Sequence, residues 1–152
     1  MKEIICSGAL IYAVNTSKFL FVHRTKSKNK NLWGLVGGTN LRHETPYTAL
    51  TREITEEVGV IEIKKSVPLE TFVSNDHHFL FHTYLCFVEK EFIPKLNDEH
   101  NGYAWVTLGY WPRPLHIGLH NTLKSKINQV KIQTVIECIS VLEKDSKWKT
   151  KT

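Results

Sequence analysis

The 23 residues from Gly38 to Val60, GTNLRHETPYTALTREITEEVGV, decide how this chain is read. Thr45 suits an N-cap, where a hydroxyl accepts from a first-turn backbone N–H, and Pro46 suits the first helical position, where no donor is needed. Gly59 supplies a permissive stop. The spacing predicts a helix over 46–58. At about 100° per residue, Tyr47, Leu50, Ile54 and Val58 share an arc of roughly 80° that should face a core. Glu53, Glu56 and Glu57 fall on another side and present clustered negative charge.

That cluster is unfavourable by itself. Glu53 and Glu57 are a like-charge pair at i,i+4, worth about 0.2–0.5 kcal/mol of repulsion. All three acids also sit toward the negative end of the helix dipole, which costs each a further ~0.3–1 kcal/mol. Arg52 is a single nearby countercharge. Bound divalent cations would remove the frustration, and carboxylate ligands favour Mg²⁺, Mn²⁺ or Ca²⁺ over zinc. An isolated E-x2-E-E triplet is more often a solvated acidic face. Here Gly38, Glu44, Arg52, Glu53, Ile54, Glu56, Glu57, Gly59 and Val60 spell G-x5-E-x7-R-E-(aliphatic)-x-E-E-x-G-(aliphatic). With usage of a few per cent per residue type, chance agreement is roughly one in a billion per starting position.

The segment resembles the signature box of the Nudix hydrolases, which use divalent metal and water to cleave a nucleoside diphosphate linked to another moiety. The resemblance implies an α/β fold, an α/β/α sandwich around a central mixed sheet. It implies that Glu53, Glu56 and Glu57 hold Mg²⁺ (or Mn²⁺), with Glu56 or Glu57 also serving the catalytic water, and that Gly38 lets the loop backbone approach metal and ligand. It further implies that Glu44 and Arg52 pair to hold the loop on the helix. Upstream, Trp33-Gly-Leu-Val-Gly-Gly38 resembles the family's W-x-L-P-G-G run, with Val36 where Pro is common and His43 where Gly often precedes the glutamate. Downstream, Glu99-His100 with Tyr103 and Trp105 is similar to an E-H-x2-Y-x-W element of small nucleotide-cleaving members, which makes Glu99 a further catalytic or metal candidate.

The chain has 152 residues, 41% hydrophobic and 23% charged, as expected of one globular domain over 1–145. Residues 146–152 read as a basic tail that contributes to the net charge of +5 and could attract phosphate-rich ligands, RNA ends included. No run approaches the ~20 apolar residues of a membrane span, and the apolar stretch from Ile4 to Val14 reads as a core strand rather than a signal peptide. Cys6, Cys86 and Cys138 are scattered among apolar residues, which predicts buried reduced thiols and a cytoplasmic location. The histidines show no zinc spacing. A homodimer is compatible with the sequence but is not specified by it.

Strands are expected at Ile4–Tyr12, Phe19–Arg24, Trp33–Val36, Val67–Val73, His77–Val88 and Tyr103–Thr107. Loops are expected over 89–102 and 108–120. A final helix over 122–144 should pack Leu123, Ile127, Val130, Thr134, Ile136, Ile139 and Leu142 against the sheet.

Phosphoanhydride hydrolysis needs the electrophile's charge neutralised and water made more nucleophilic, and metal on the box acids would serve both needs. Glu57, Glu56 or Glu99 could take the proton. Arg24 and the lysines over 26–30 could stabilise phosphate. Phe79, Phe81, Trp105, Trp111, Arg113 and His116 are candidates to grip a base, with Trp111 and Arg113 favoured because prolines stiffen their loop. The expected substrate is an adenine-containing compound such as a dinucleoside polyphosphate, ADP-ribose or FAD. A (d)NTP pyrophosphohydrolase comes next, and a nucleotide-sensing module that does not cleave is the alternative from another class.

Overall fold

β1 (Ile4–Ala13) runs as an apolar stretch with little alternation, as a strand covered on both faces requires. From Ser7 to Ala13 every residue is buried in the computed structural model, which describes residues 2–26 and 28–149, with side chains through Lys144. β1 pairs in parallel along its whole length with β6 (Phe79–Val88), and β6 pairs antiparallel with β5 (Lys65–Val73). The other edge of β1 is shared. Its residues 6–9 pair with β4 (Val36–Thr39) and its last three residues pair with β2 (Lys18–Arg24). β2 in turn pairs with β3 (Trp33–Gly34) and with β7 (His100–Thr107). The result is a mixed, open sheet that splays where β1 and β2 part.

Alternate residues of β1 enter separate cores. Ala9, Ile11 and Ala13 pack with Leu50, Ile54 and Val58 of α1 (Pro46–Val58). Leu10 and Tyr12 pack with Phe19, Phe21 and Phe87, and with Leu119, Leu123, Ile132 and Ile139 of α2 (Ile117–Lys124) and α3 (Lys126–Lys149). Helices therefore cover both faces, and the expected sandwich is present.

α1 begins and ends as its sequence predicts, with the Thr45 hydroxyl accepting from the Thr48 N–H at 3.2 Å. Tyr47, expected in the core, lies in the first turn and is exposed, with its ring T-shaped to that of Tyr84. β7 starts at His100, so the loop expected over 89–102 is shorter and His100 lies opposite Arg24.

The expected single C-terminal helix is two helices, broken at Ser125, whose backbone is extended. The break resets the helical phase. Asn128, Ile132 and Ile139 turn inward, while Ile127, Val130 and Leu142 of the expected stripe are exposed. α3 runs on to Lys149, and residues 150–152 of the expected tail lie outside the described residues. Cys86 is buried and Cys6 half-buried, but Cys138, expected inside, is exposed; all three are free thiols. No helix among the described residues is long and apolar enough to cross a membrane.

Candidate active site

The geometry of α1 separates its three acids. At 100° per residue, Glu57 lies about 20° from Leu50, at the edge of the buried arc rather than on the polar side. It is 1% exposed, and its Oε2 accepts from the Gly37 N–H at 3.0 Å. Burial pushes its carboxyl up to about 8, against the opposing Gly37 bond, with nearby Glu53 adding to the rise. Glu53 is also raised by burial, which outweighs its pairing with Arg52. Glu56, by contrast, points into solvent.

Arg52 organises the loop that precedes the helix. Its Nε and Nη2 grip Glu44 at 2.8 and 2.9 Å, and Nη2 also donates to the Thr39 carbonyl at 3.1 Å. Nη1 reaches Glu53 at 3.0 Å and Glu56 at 3.2 Å. The bond to Arg52, then the Leu41 N–H, holds the Glu44 carboxyl below the usual carboxylate range. The countercharge expected for the whole cluster thus serves Glu44, Glu53 and Glu56, and among the described residues no Lys or Arg forms an ion pair with Glu57. The adjacent glycines sit in close contact with their surroundings. A Cβ on Gly37 would lie 2.2 Å from the Ser7 carbonyl oxygen, and one on Gly38 would lie 2.6 Å from the Glu53 carboxylate.

β7 brings its first residue to the same corner. Ligand atoms of Glu57, Glu99 and His100 all lie within 4.8 Å of one another. The His100 Nε2 stands 3.8 Å from Glu57 Oε1, and neither ring nitrogen has a hydrogen-bond partner although the residue is buried. Burial, with Arg24 and His23 nearby, lowers His100 to about 4, so its ring is neutral. A buried carboxylate beside an orphaned neutral imidazole suits a divalent cation, since the imidazole nitrogens would otherwise lose hydration without compensation and the carboxylate keeps only the Gly37 bond. Glu57, Glu99 and His100 could hold such an ion, with Glu53 close behind.

A cavity of about 680 Å³ opens beside this corner and meets it at Gly37, Gly38 and Arg24. The Arg24 Nε is buried without a partner. Phe72, Phe79 and Phe81 form one wall, with rings 6.2 and 6.4 Å apart in sequence order. His116, Ile117 and Asn121 line another part. Between them Glu70 is fixed by the Thr122 hydroxyl at 2.8 Å on Oε1 and by the Asn128 amide on Oε2. The break at Ser125 allows α2 and α3 each to supply one of these partners.

Of the six residues expected to grip a base, Phe79, Phe81 and His116 line the cavity. Trp111 does not. It packs edge-on against Phe19 and tilted against Phe21, each 5.4 Å away, as a partly buried extension of the core that holds both rings. Arg113 is exposed and lines no part of the cavity. Trp105 packs on Phe92 and donates to its carbonyl. Lys26, one of the expected phosphate ligands, pairs with Asp98 at 2.6 Å. Sequence reasoning missed Glu70, Phe72 and Asn121. The one signal for Glu70 was an acid inside the otherwise apolar Val67–Val73 run.

A family model described as the NUDIX domain matches residues 6–121. The chain is 32% identical over 114 residues, 64% of its length, to the dihydroneopterin triphosphate diphosphatase of Haemophilus influenzae, covering 70% of that protein. It is 43% identical over 49 residues, 32% of its length, to the 8-oxo-dGTP diphosphatase of Buchnera aphidicola, covering 39% of that protein. Among solved structures, a MutT NUDIX hydrolase from Burkholderia pseudomallei superposes with a TM-score of 0.70 at 25% identity, over 83% of this chain and 99% of that one.

Proposed function

Since this chain belongs to the NUDIX domain family and is a pyrophosphohydrolase, we propose that it hydrolyses the triphosphate of a compound carrying a 2-amino-4-oxopyrimidine ring, of guanine or pterin type. One observation carries this reading: the Glu70 carboxylate is fixed in the wall of a ring-sized aromatic cavity. An ionised carboxylate only accepts hydrogen bonds. A 2-amino-4-oxopyrimidine edge offers two adjacent donors, a ring N–H and an exocyclic amine. Adenine offers its amine next to a ring nitrogen lone pair, which a carboxylate would repel. The substrates named for the Haemophilus and Buchnera relatives both carry the donor-rich edge. The adenine-containing substrate expected from the sequence thus becomes the competitor, and the triphosphate reading moves ahead of it.

In this reading the ring stacks on Phe79 and Phe81 and the phosphates run past Gly37 and Gly38 toward the acid corner. Arg24, half-buried at that junction with an unpartnered Nε, holds phosphate oxygen. Glu44 and Arg52 keep the loop from 39 to 45 seated on α1. Glu57 and Glu99 would hold a divalent cation, with Glu53, Glu56 and the backbone at Gly38 as further ligands in this reading. A bound divalent cation supplies charge neutralisation and acidifies water there. Glu57 or Glu99 accepts the proton as water oxygen attacks phosphorus and the anhydride P–O bond breaks.

The test is a substrate panel with Mg²⁺ or Mn²⁺ in ¹⁸O-labelled water. Dihydroneopterin triphosphate, 8-oxo-dGTP and dGTP should exceed ATP, ADP-ribose and diadenosine tetraphosphate in kcat/KM by at least about tenfold, the range of one well-placed polar contact. A reversed order would remove the ring assignment, and the labelled phosphorus identifies the bond attacked.

A further inference from the structure

His100 is 4% exposed, and both its ring nitrogens lack a hydrogen-bond partner. Buried polar atoms in folded proteins are nearly always paired, so two orphans on one ring call for an explanation. The nearest polar atom is no such partner, because 3.8 Å from Nε2 to Glu57 Oε1 exceeds hydrogen-bond range. The same separation fits two ligands of one ion. Bonds of about 2.1 Å put two ligand atoms roughly 3.0 Å apart at right angles and about 4.2 Å apart in line. Glu99 joins them within 4.8 Å. The strand pairing fixes this arrangement: His100 is registered opposite Arg24 beside the irregularity at His23 and Arg24, while the Glu99 carbonyl accepts at 2.9 Å from the N–H of Thr25, the residue after β2.

We propose that His100 Nε2 is a nitrogen ligand which, with Glu57 and Glu99, makes a mixed N/O cation site that selects first-row transition ions such as Mn²⁺ over Mg²⁺ and Ca²⁺. The inference rests on the metal-dependent reading above and adds a nitrogen donor to the oxygen ligands expected from the acids. Imidazole contributes little to Mg²⁺ or Ca²⁺, which prefer oxygen, and progressively more along the transition series. An imidazole nitrogen beside a buried carboxylate therefore sets ion preference, whereas three carboxylates would set mainly charge.

The test uses the intact chain loaded with Mn²⁺ and read by pulsed electron paramagnetic resonance. A nitrogen coupling to the bound ion is expected, changing from the ¹⁴N to the ¹⁵N pattern when the histidines carry ¹⁵N. It should vanish in His100→Gln and persist in His23→Gln and His116→Gln. His100→Gln should weaken Mn²⁺ by about tenfold or more, with Mg²⁺ affinity changed less than about threefold. Bound Mn²⁺ without nitrogen coupling would overturn the inference and leave the metal-dependent hydrolase intact. Failure of the chain to bind any divalent ion would overturn both. Should His100→Gln fail to fold, the isotope effect in the unsubstituted protein and the two control variants still decides the matter.

Discussion

The acid corner and the ring cavity share a wall at Gly37, Gly38 and Arg24, yet the chain builds them in different ways. The corner is largely one continuous segment. Gly38, Glu44, Arg52, Glu53 and Glu57 lie within twenty residues, and a cap, a clamp and two close approaches fix them. The cavity collects β5, β6, the start of α2 and, through Asn128, α3. Its recognition chemistry depends on a carboxylate whose partners lie 52 and 58 residues away. The corner should therefore govern turnover and the cavity should govern choice of substrate.

The sharpest way to break that division is Glu57→Gln, which should lower kcat by about 10³-fold or more while leaving KM within a fewfold. A large KM change with kcat intact would reverse the roles of the two regions. Gly38→Ala should come next, near 10²-fold in kcat, since its Cβ would displace the Glu53 carboxylate from 2.6 Å. On the cavity side, Glu70→Gln should raise KM for a 2-amino-4-oxo triphosphate about tenfold with kcat within about twofold, in steady-state assays on matched ring pairs.

A smaller effect separates the regions by stability instead of rate. Glu57 holds its proton more tightly folded than unfolded, its carboxyl being raised from 4.5 to about 8. Its contribution to stability is full below about pH 4.5 and is lost as pH rises through about 8. In EDTA, the Tm of the unsubstituted protein should therefore fall relative to that of Glu57→Gln between pH 5 and 9, by a few degrees. Parallel curves would mean that Glu57 is better solvated than its burial implies. Smallest of all, Arg113→Ala should leave kcat/KM within about twofold, because the residue stands outside the cavity.

The sequence carried the corner far. Thr45, Pro46 and Gly59 set the bounds of α1, and the pairing of Glu44 with Arg52 follows from the box. It carried the cavity only in part. Phe79, Phe81 and His116 arrive there, but Trp111 and Arg113 do not, since an aromatic between prolines looks the same whether it covers a hydrophobic core or a ligand. Even within α1 one detail escaped. Glu57 is next to Leu50 around the helix, and its burial became visible only when β4 brought the Gly37 N–H against it.

What the chain determined unaided are the features fixed by neighbours a few residues apart: the capped helix, the box, and the apolar strand that must be covered on both faces. Packing alone decided which acid is buried, where His100 points, and that Glu70 faces a cavity. These depend on register between distant strands and on the break at Ser125, where contact is set by how surfaces meet and not by spacing along the chain.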